Sequence, residues 1–94
     1  MTKLNENYIQ FFKSLANEER IEILKLLHKN KEMYAKMIEK SFYLEQSTTS
    51  HHLNMLRRSG IVKIRKEGRR IYYSIDYDSF RKHLSVFETL FLNS

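Results

Sequence analysis

The 94-residue sequence has no cysteine, no proline and no tryptophan, and its only glycines are Gly60 and Gly68. Without cysteine there can be no disulfide framework, thiolate metal ligand, thiol redox sensor or cysteine nucleophile. No internal repeat, low-complexity tract or linker divides the chain. No apolar run approaches the ~20 residues a membrane helix needs. Residues 1–7 are polar and lack the apolar core and small-residue cleavage site of a targeting segment, so the expected location is the cytoplasm, with no membrane partner.

What remains sets a frame. The length fits one domain over residues 1–94, with a core small enough that association would stabilise it. Lysine and arginine number 17 against 11 aspartate and glutamate, a formal net charge of +6, and the pI is about 9.7. Such a balance points to a polyanionic partner. Apolar residues make up 41% of the chain, including six Phe and six Tyr, which is too rich for a disordered basic tail.

The excess charge is local. Residues 1–44 carry basic and acidic groups in near balance, as a solvated surface does, and residues 76–94 are slightly acidic. Between them, Arg57, Arg58, Lys63, Arg65, Lys66, Arg69 and Arg70 face only Glu45 and Glu67. The middle third therefore holds nearly all the surplus.

Apolar spacing predicts four helices, a hairpin and a last helix. Tyr8, Phe12 and Leu15 mark a first amphipathic helix over about 4–15. Asn17 is a favoured N-cap, and Glu18 and Glu19 follow where the helix dipole prefers acids. Ile21, Ile23, Leu24, Leu26 and Leu27 then give a central buried helix that runs out near His28, whose imidazole is expected at that helix end. Met33, Met37, Ile38 and Phe42 are spaced for a short third helix. The fourth covers about 46–59, with Thr49, Leu53 and Leu56 inward and Gly60 in the left-handed position that stops it. Val62 and Ile64, then Ile71, Tyr73 and Ile75, alternate with polar residues around a turn at Gly68, as in a β-hairpin. A final helix over about 78–92 carries Phe80, Leu84, Phe87 and Phe91 on one stripe.

Short helices joined tightly and followed by a basic hairpin describe a mainly α, winged helix-turn-helix domain. With Thr49, Leu53 and Leu56 inward, the outer side of the fourth helix holds Ser47, His51, Asn54 and Arg58. Ser50 lies at its edge, Gln46 and Thr48 at the tip, and Arg57 near the far end. These groups hydrogen-bond base edges or grip phosphates. The expected partner is double-stranded DNA, contacted by Gln46, Ser47, Thr48, Ser50, His51, Asn54, Arg57 and Arg58 from the helix and by Lys63, Arg65, Lys66, Arg69 and Arg70 from the wing. Tyr8, Phe12, Leu15, Phe80, Leu84, Phe87 and Phe91 exceed what one small core can easily hide and are expected to pair two chains through the first and last helices. The competing reading is a winged domain that binds protein alone, with the aromatic last helix as its partner surface. An enzyme has little support, since no Gly-rich phosphate loop or nucleophile–His–carboxylate pattern is present.

The segments Leu15–Leu24, Leu44–Val62 and Arg65–Ile75 resemble the opening, recognition helix and wing of the ArsR/SmtB family of winged-helix repressors, over about residues 8–92 with ungapped spacing. The resemblance implies a homodimeric, operator-binding repressor paired through its first and last helices. It also exposes departures. The family's thiolate box would fall on Tyr34-Ala35-Lys36, which offers no soft ligand. Its other common metal site, on the last helix, would have only Asp76, Asp78, His83 and Glu88 to draw on, a poor zinc set. His51 and His52 diverge by ~100° on a helix and cannot share one ion within a chain. No metal or cofactor is expected, and the effector is left unnamed. Glu18 stands where the family often has proline, and Glu45 where a capping serine is common. Glu45 brings negative charge to the helix end nearest DNA.

Overall fold

The computed structural model describes residues 6–92, so the expected first turn at residues 4–5 lies outside the described residues. Helices α1 (Glu6–Leu15) and α2 (Glu18–Asn30) lead into a two-residue strand β1 (Met33–Tyr34). Helices α3 (Ala35–Phe42) and α4 (Gln46–Arg58) follow, then strands β2 (Val62–Glu67) and β3 (Arg70–Ile75), and α5 (Tyr77–Phe91). The sheet is antiparallel in the order β1-β3-β2. Phe11, Ile23, Leu24, Leu27, Ile38, Leu53, Leu56 and Ile61 form its core with Met33, Val62 and Ile75 from the strands.

Two expectations about helix phase and bounds are corrected. Met33 is not the first turn of the third helix: it pairs with Tyr73 in the sheet, and α3 starts at Ala35 after an extended Tyr34. The i, i+4 spacing of Met33 and Met37 mimics a helix, but a strand buries Met33 equally well and gives its backbone a ladder partner. In α1 the residues that reach the centre are Phe11 and Ser14, both fully buried, while Tyr8, Phe12 and Leu15 are only half-buried. With apolar residues at 8, 9, 11, 12 and 15, two stripes compete, and the core takes the one through Phe11. Its ring stacks on His83 at 3.9 Å and meets Phe80 edge-on at 5.2 Å.

The ends of elements follow local chemistry. Asn17 Oδ1 accepts the Arg20 N–H at 3.0 Å, as an N-cap does, and Asp76 Oδ1 does the same for Ser79 N–H at 3.1 Å. Gly60 (φ 77°) ends α4 in the left-handed region, and Gly68 (φ 61°) is the first of two turn residues between Glu67 and Arg70. Tyr43 (φ 55°) closes α3 in the same region, where a glycine is usual. His28 differs from expectation: its Nδ1 lies 2.7 Å from the Tyr77 hydroxyl, tying the end of α2 to α5 instead of capping its own helix.

On the inner side of α4, the hydroxyl of Thr49 is buried without a hydrogen-bond partner among the described residues. An unpaired buried hydroxyl costs stability, and valine keeps the β-branched shape without it. Thr49→Val is expected to stabilise the fold by about 1 kcal/mol. In thermal denaturation that is a rise of about 4–8 °C for a domain of this size. The outer surface of the helix should be unchanged, because the side chain faces away from it.

Candidate nucleic-acid interface

The polar outer face expected of α4 is present. Ser47, Ser50, His51, Asn54, Arg57 and Arg58 are exposed, as is Gln46 at the N-terminus, with Thr48 half-buried beside it; Thr49, His52, Leu53 and Leu56 are buried. A helix with this division presents hydrogen-bonding groups outward from a fixed apolar seat. Glu45 holds the N-cap position in extended conformation but makes no side-chain cap bond, so the first N–H groups of α4 face outward without an internal acceptor from that side chain.

What orients α4 is a buried polar cluster at the α1–α2 corner. Arg20, 8% exposed, donates from Nε to the Ser14 carbonyl at 2.7 Å and from Nη1 to His52 Nδ1 at 3.3 Å. A guanidinium only donates, so His52 Nδ1 is the acceptor and its Nε2–H donates to Glu19 Oε2 at 2.9 Å. Ser14 Oγ adds contacts to the Met55 carbonyl on the last turn of α4 and to Ser59 Oγ at its C-cap. His51 and His52 divide as their helical spacing requires, His51 outward and His52 packed inward. The sequence reading missed Arg20, which counts there as part of a solvated charge balance. The available signal was its place between the Asn17 cap and the apolar run from Ile21, one turn from the buried Ile23 and Leu24.

The wing cations fall into two groups. Lys63, Lys66 and Arg69 are exposed and make no ion pair among the described residues. Arg65 instead binds Glu32 at 2.6 Å and Glu67 at 2.7 Å and lies 4.6 Å over the Tyr72 ring. The hydrogen bond from Arg65 holds the Glu32 carboxyl below its ordinary value, and the two carboxylates raise Arg65 in turn. Arg70 lies 4.5 Å over Tyr34, whose ring meets Tyr72 edge-on. Strand β1 is thereby clasped to the hairpin. At the position where the resemblance would place a thiolate box, Tyr34 forms part of this aromatic–cation clasp. Among the described residues no three His, Asp or Glu side chains converge as metal ligands.

The residues expected to pair two chains also separate. Phe12, Leu15 and Phe80 pack onto the core of their own chain. Phe87 is half-buried, edge-on to Phe12 at 4.3 Å, and Tyr8 is half-buried against His83 at 4.8 Å. Leu84 and Phe91 are exposed, together with Ile9 and Leu92. None of the fifteen residues of α5 is fully buried.

A basic wing beside a helix whose outward side is all hydrogen-bonding groups defines a winged helix-turn-helix transcriptional regulator. The family model for the bacterial regulatory proteins of the arsR family matches residues 17–63, and the chain belongs to that family. An HTH-type transcriptional regulator of Methanocaldococcus jannaschii is 38% identical over 85 residues, covering 90% of this chain and 96% of that protein. The transcriptional activator HlyU of Vibrio cholerae is 31% identical over 91 residues, covering 97% of this chain and 83% of that protein. The solved HlyU structure matches with a TM-score of 0.73, covering 97% of this chain and 98% of the other. A homodimeric winged helix-turn-helix DNA-binding domain of Mycobacterium bovis, Mb0332, matches with a TM-score of 0.73 at 28% identity, covering 96% of this chain and 90% of that one. No helix among the described residues is long and apolar enough to cross a membrane.

Proposed function

We propose that the protein is a cytoplasmic homodimeric repressor that binds a palindromic operator, with α4 of each protomer in the major groove and the hairpin against the flanking backbone. The observation that carries this is the outer side of α4, where every exposed position from Gln46 to Arg58 bears a hydrogen-bonding or cationic group. Gln46, Ser47, Thr48, Ser50, His51 and Asn54 read base edges, and Arg57 and Arg58 hold phosphates. A two-fold dimer paired through α1 and α5 requires half-sites about one helical turn, ~10 bp, apart. Repression then follows from occupying a promoter. Lacking thiolates, the chain offers no soft site for metal-triggered release.

The free wing cations and the tied ones have different parts. Lys63, Lys66 and Arg69 supply phosphate contacts, whereas Arg65 and Arg70 chiefly hold the wing at its angle. Lys66→Ala with Arg69→Ala is expected to weaken all DNA sequences alike, roughly tenfold at low salt, and to reduce the salt slope by about two. Gln46→Ala or Ser47→Ala instead costs ~1–3 kcal/mol at particular base pairs. Fluorescence anisotropy with duplexes selected from genomic DNA, at two salt concentrations, measures both. Unchanged affinity of the wing double variant at every salt concentration would falsify the wing assignment. No salt-dependent duplex binding at all would favour a module that recognises protein alone.

A further inference from the structure

At the far end of the recognition helix, α1, α4 and α5 enclose a cavity of about 400 Å³ lined by Asn7, Tyr8, Gln10, Arg58, Ser59, Gly60, Lys82 and His83. A second of similar size adjoins it through Gln10, Arg58 and Ser59. The larger lining combines a guanidinium, an ammonium, an imidazole, two carboxamides and two hydroxyls, and among the described residues it includes no carboxylate. Neither Arg58 nor Lys82 makes an ion pair among the described residues. His83 is held in place by its Nδ1–H bond to the Ser79 carbonyl at 2.7 Å and by its stack on Phe11. Two cations that line one concavity of this volume, with no ion pair among the described residues, suit a small ligand with concentrated negative charge.

We propose that this cavity binds a small dianionic metabolite, a phosphate monoester or a dicarboxylate, and that the ligand releases DNA by capturing Arg58. The coupling half of this inference rests on the DNA-binding reading given above. At 100° per residue Arg58 shares its side of α4 with Ser47, His51 and Asn54, about one to three turns away. It therefore stands at the seam between the DNA face and the cavity. An anion seated on Arg58 and Lys82 removes one phosphate contact from each protomer and adds negative charge beside the backbone.

Apart from Tyr8, the cavity lining lies away from the exposed apolar residues of the same helices. On α1, Asn7 and Gln10 lie about opposite Ile9 and Phe12. On α5, Lys82 lies about opposite the stripe of Leu84 and Phe91. The polar lining and the exposed apolar residues thus occupy different flanks of the same two helices.

Isothermal titration of the DNA-free protein with inorganic phosphate, glycerol 3-phosphate and succinate tests the site without reference to DNA, and distinguishes the phosphate from the carboxylate arm. Saturable binding of at least one, at fixed ionic strength, is expected, with a loss of about tenfold in affinity in Lys82→Gln. Anisotropy on operator DNA then tests the coupling. The bound anion should weaken DNA binding about tenfold for the wild type at constant ionic strength, and much less for Lys82→Gln, whose affinity without the anion should be unchanged. No saturable binding by any of the three probes overturns the site. Binding that leaves DNA affinity unaltered overturns the competition for Arg58. If Lys82→Gln weakens DNA binding in anion-free buffer and no probe binds, the cavity is an extension of the phosphate-contact surface, and the proposal is wrong. Failure of duplex binding altogether, with the probes still bound, removes the DNA reading and the proposed release mechanism but leaves the anion site standing.

Discussion

Leu84→Glu combined with Phe91→Glu is expected to convert the dimer to a folded monomer and to lower operator affinity by at least about 100-fold. The two side chains are 49% and 65% exposed, and Leu92 beside them is 78% exposed. Alone, a chain that leaves such a stripe partly in water forgoes roughly half or more of the about 1.5–3 kcal/mol that full burial of each large side chain is worth. A second copy supplying the same stripe about a two-fold axis recovers it. Neither Leu84 nor Phe91 belongs to the core of the single chain, so the substitutions remove the reason to associate without opening a cavity. Two half-sites bound by a linked pair gain 10²–10⁴ over one half-site bound alone, which sets the size of the loss. Sedimentation velocity reports the mass, circular dichroism reports the retained helices, and anisotropy reports the affinity. A variant that stays dimeric places the pairing surface elsewhere. A monomer with undiminished affinity shows that pairing contributes nothing to operator recognition.

The same two side chains show what the sequence can and cannot convey. The stripe of Phe80, Leu84, Phe87 and Phe91 is legible because its helical period is clean. Which members are spent on the chain's own core is not, since that depends on where α1 crosses α5. Phe80 goes inward against Phe11 because Phe11, and not Tyr8 or Phe12, is the residue that α1 sends to the centre. The outer face of α4 was readable residue by residue, because three inward positions, Thr49, Leu53 and Leu56, fix the phase of a thirteen-residue helix. The wing was readable as a hairpin from its alternation and Gly68. Its third strand was not, because a two-residue strand has no period to detect. Only the tertiary pairing of Met33 with Tyr73 makes it a strand.

Charge was the least legible property. A count along the chain weights Arg20, Arg65 and Arg69 equally, yet the three have different surroundings. Arg69 is exposed without an ion pair among the described residues, Arg65 is held by two carboxylates and a tyrosine ring, and Arg20 is buried. The partners that decide this, Glu32 for Arg65 and His52 for Arg20, lie more than thirty residues away in sequence. The local excess around the wing is therefore a smaller field for DNA than its count implies, with Lys63, Lys66 and Arg69 carrying the free part.

Arg20 leads to the second large effect. Arg20→Ala is expected to destabilise the fold by about 3 kcal/mol, because it strips the Ser14 carbonyl and His52 Nδ1 of their donor within the interior. At about 4–8 °C per kcal/mol for a domain of this size, the melting temperature falls by roughly 12–24 °C. Arg20→Lys should rescue little, since one ammonium cannot span two acceptors set at the angle of a guanidinium fork. Lys25→Ala is the contrast. It removes a 3.0 Å ion pair with Glu22 that stands in solvent, and it should cost no more than about 0.5 kcal/mol. If the two alanine variants melted within a few degrees of each other, the interior cluster would be contributing no more than a surface pair. The functional consequence follows from position. Arg20 and Ser14 grip α4 through His52 and Met55, and the C-cap that follows it through Ser59, beside the exposed polar face and not on it. Loosening that grip lets the whole reading face tilt, so operator affinity should fall in Arg20→Ala even at temperatures where circular dichroism reports a folded chain. The loss should spread over all base pairs of the half-site, whereas Gln46→Ala should be felt at only one or two.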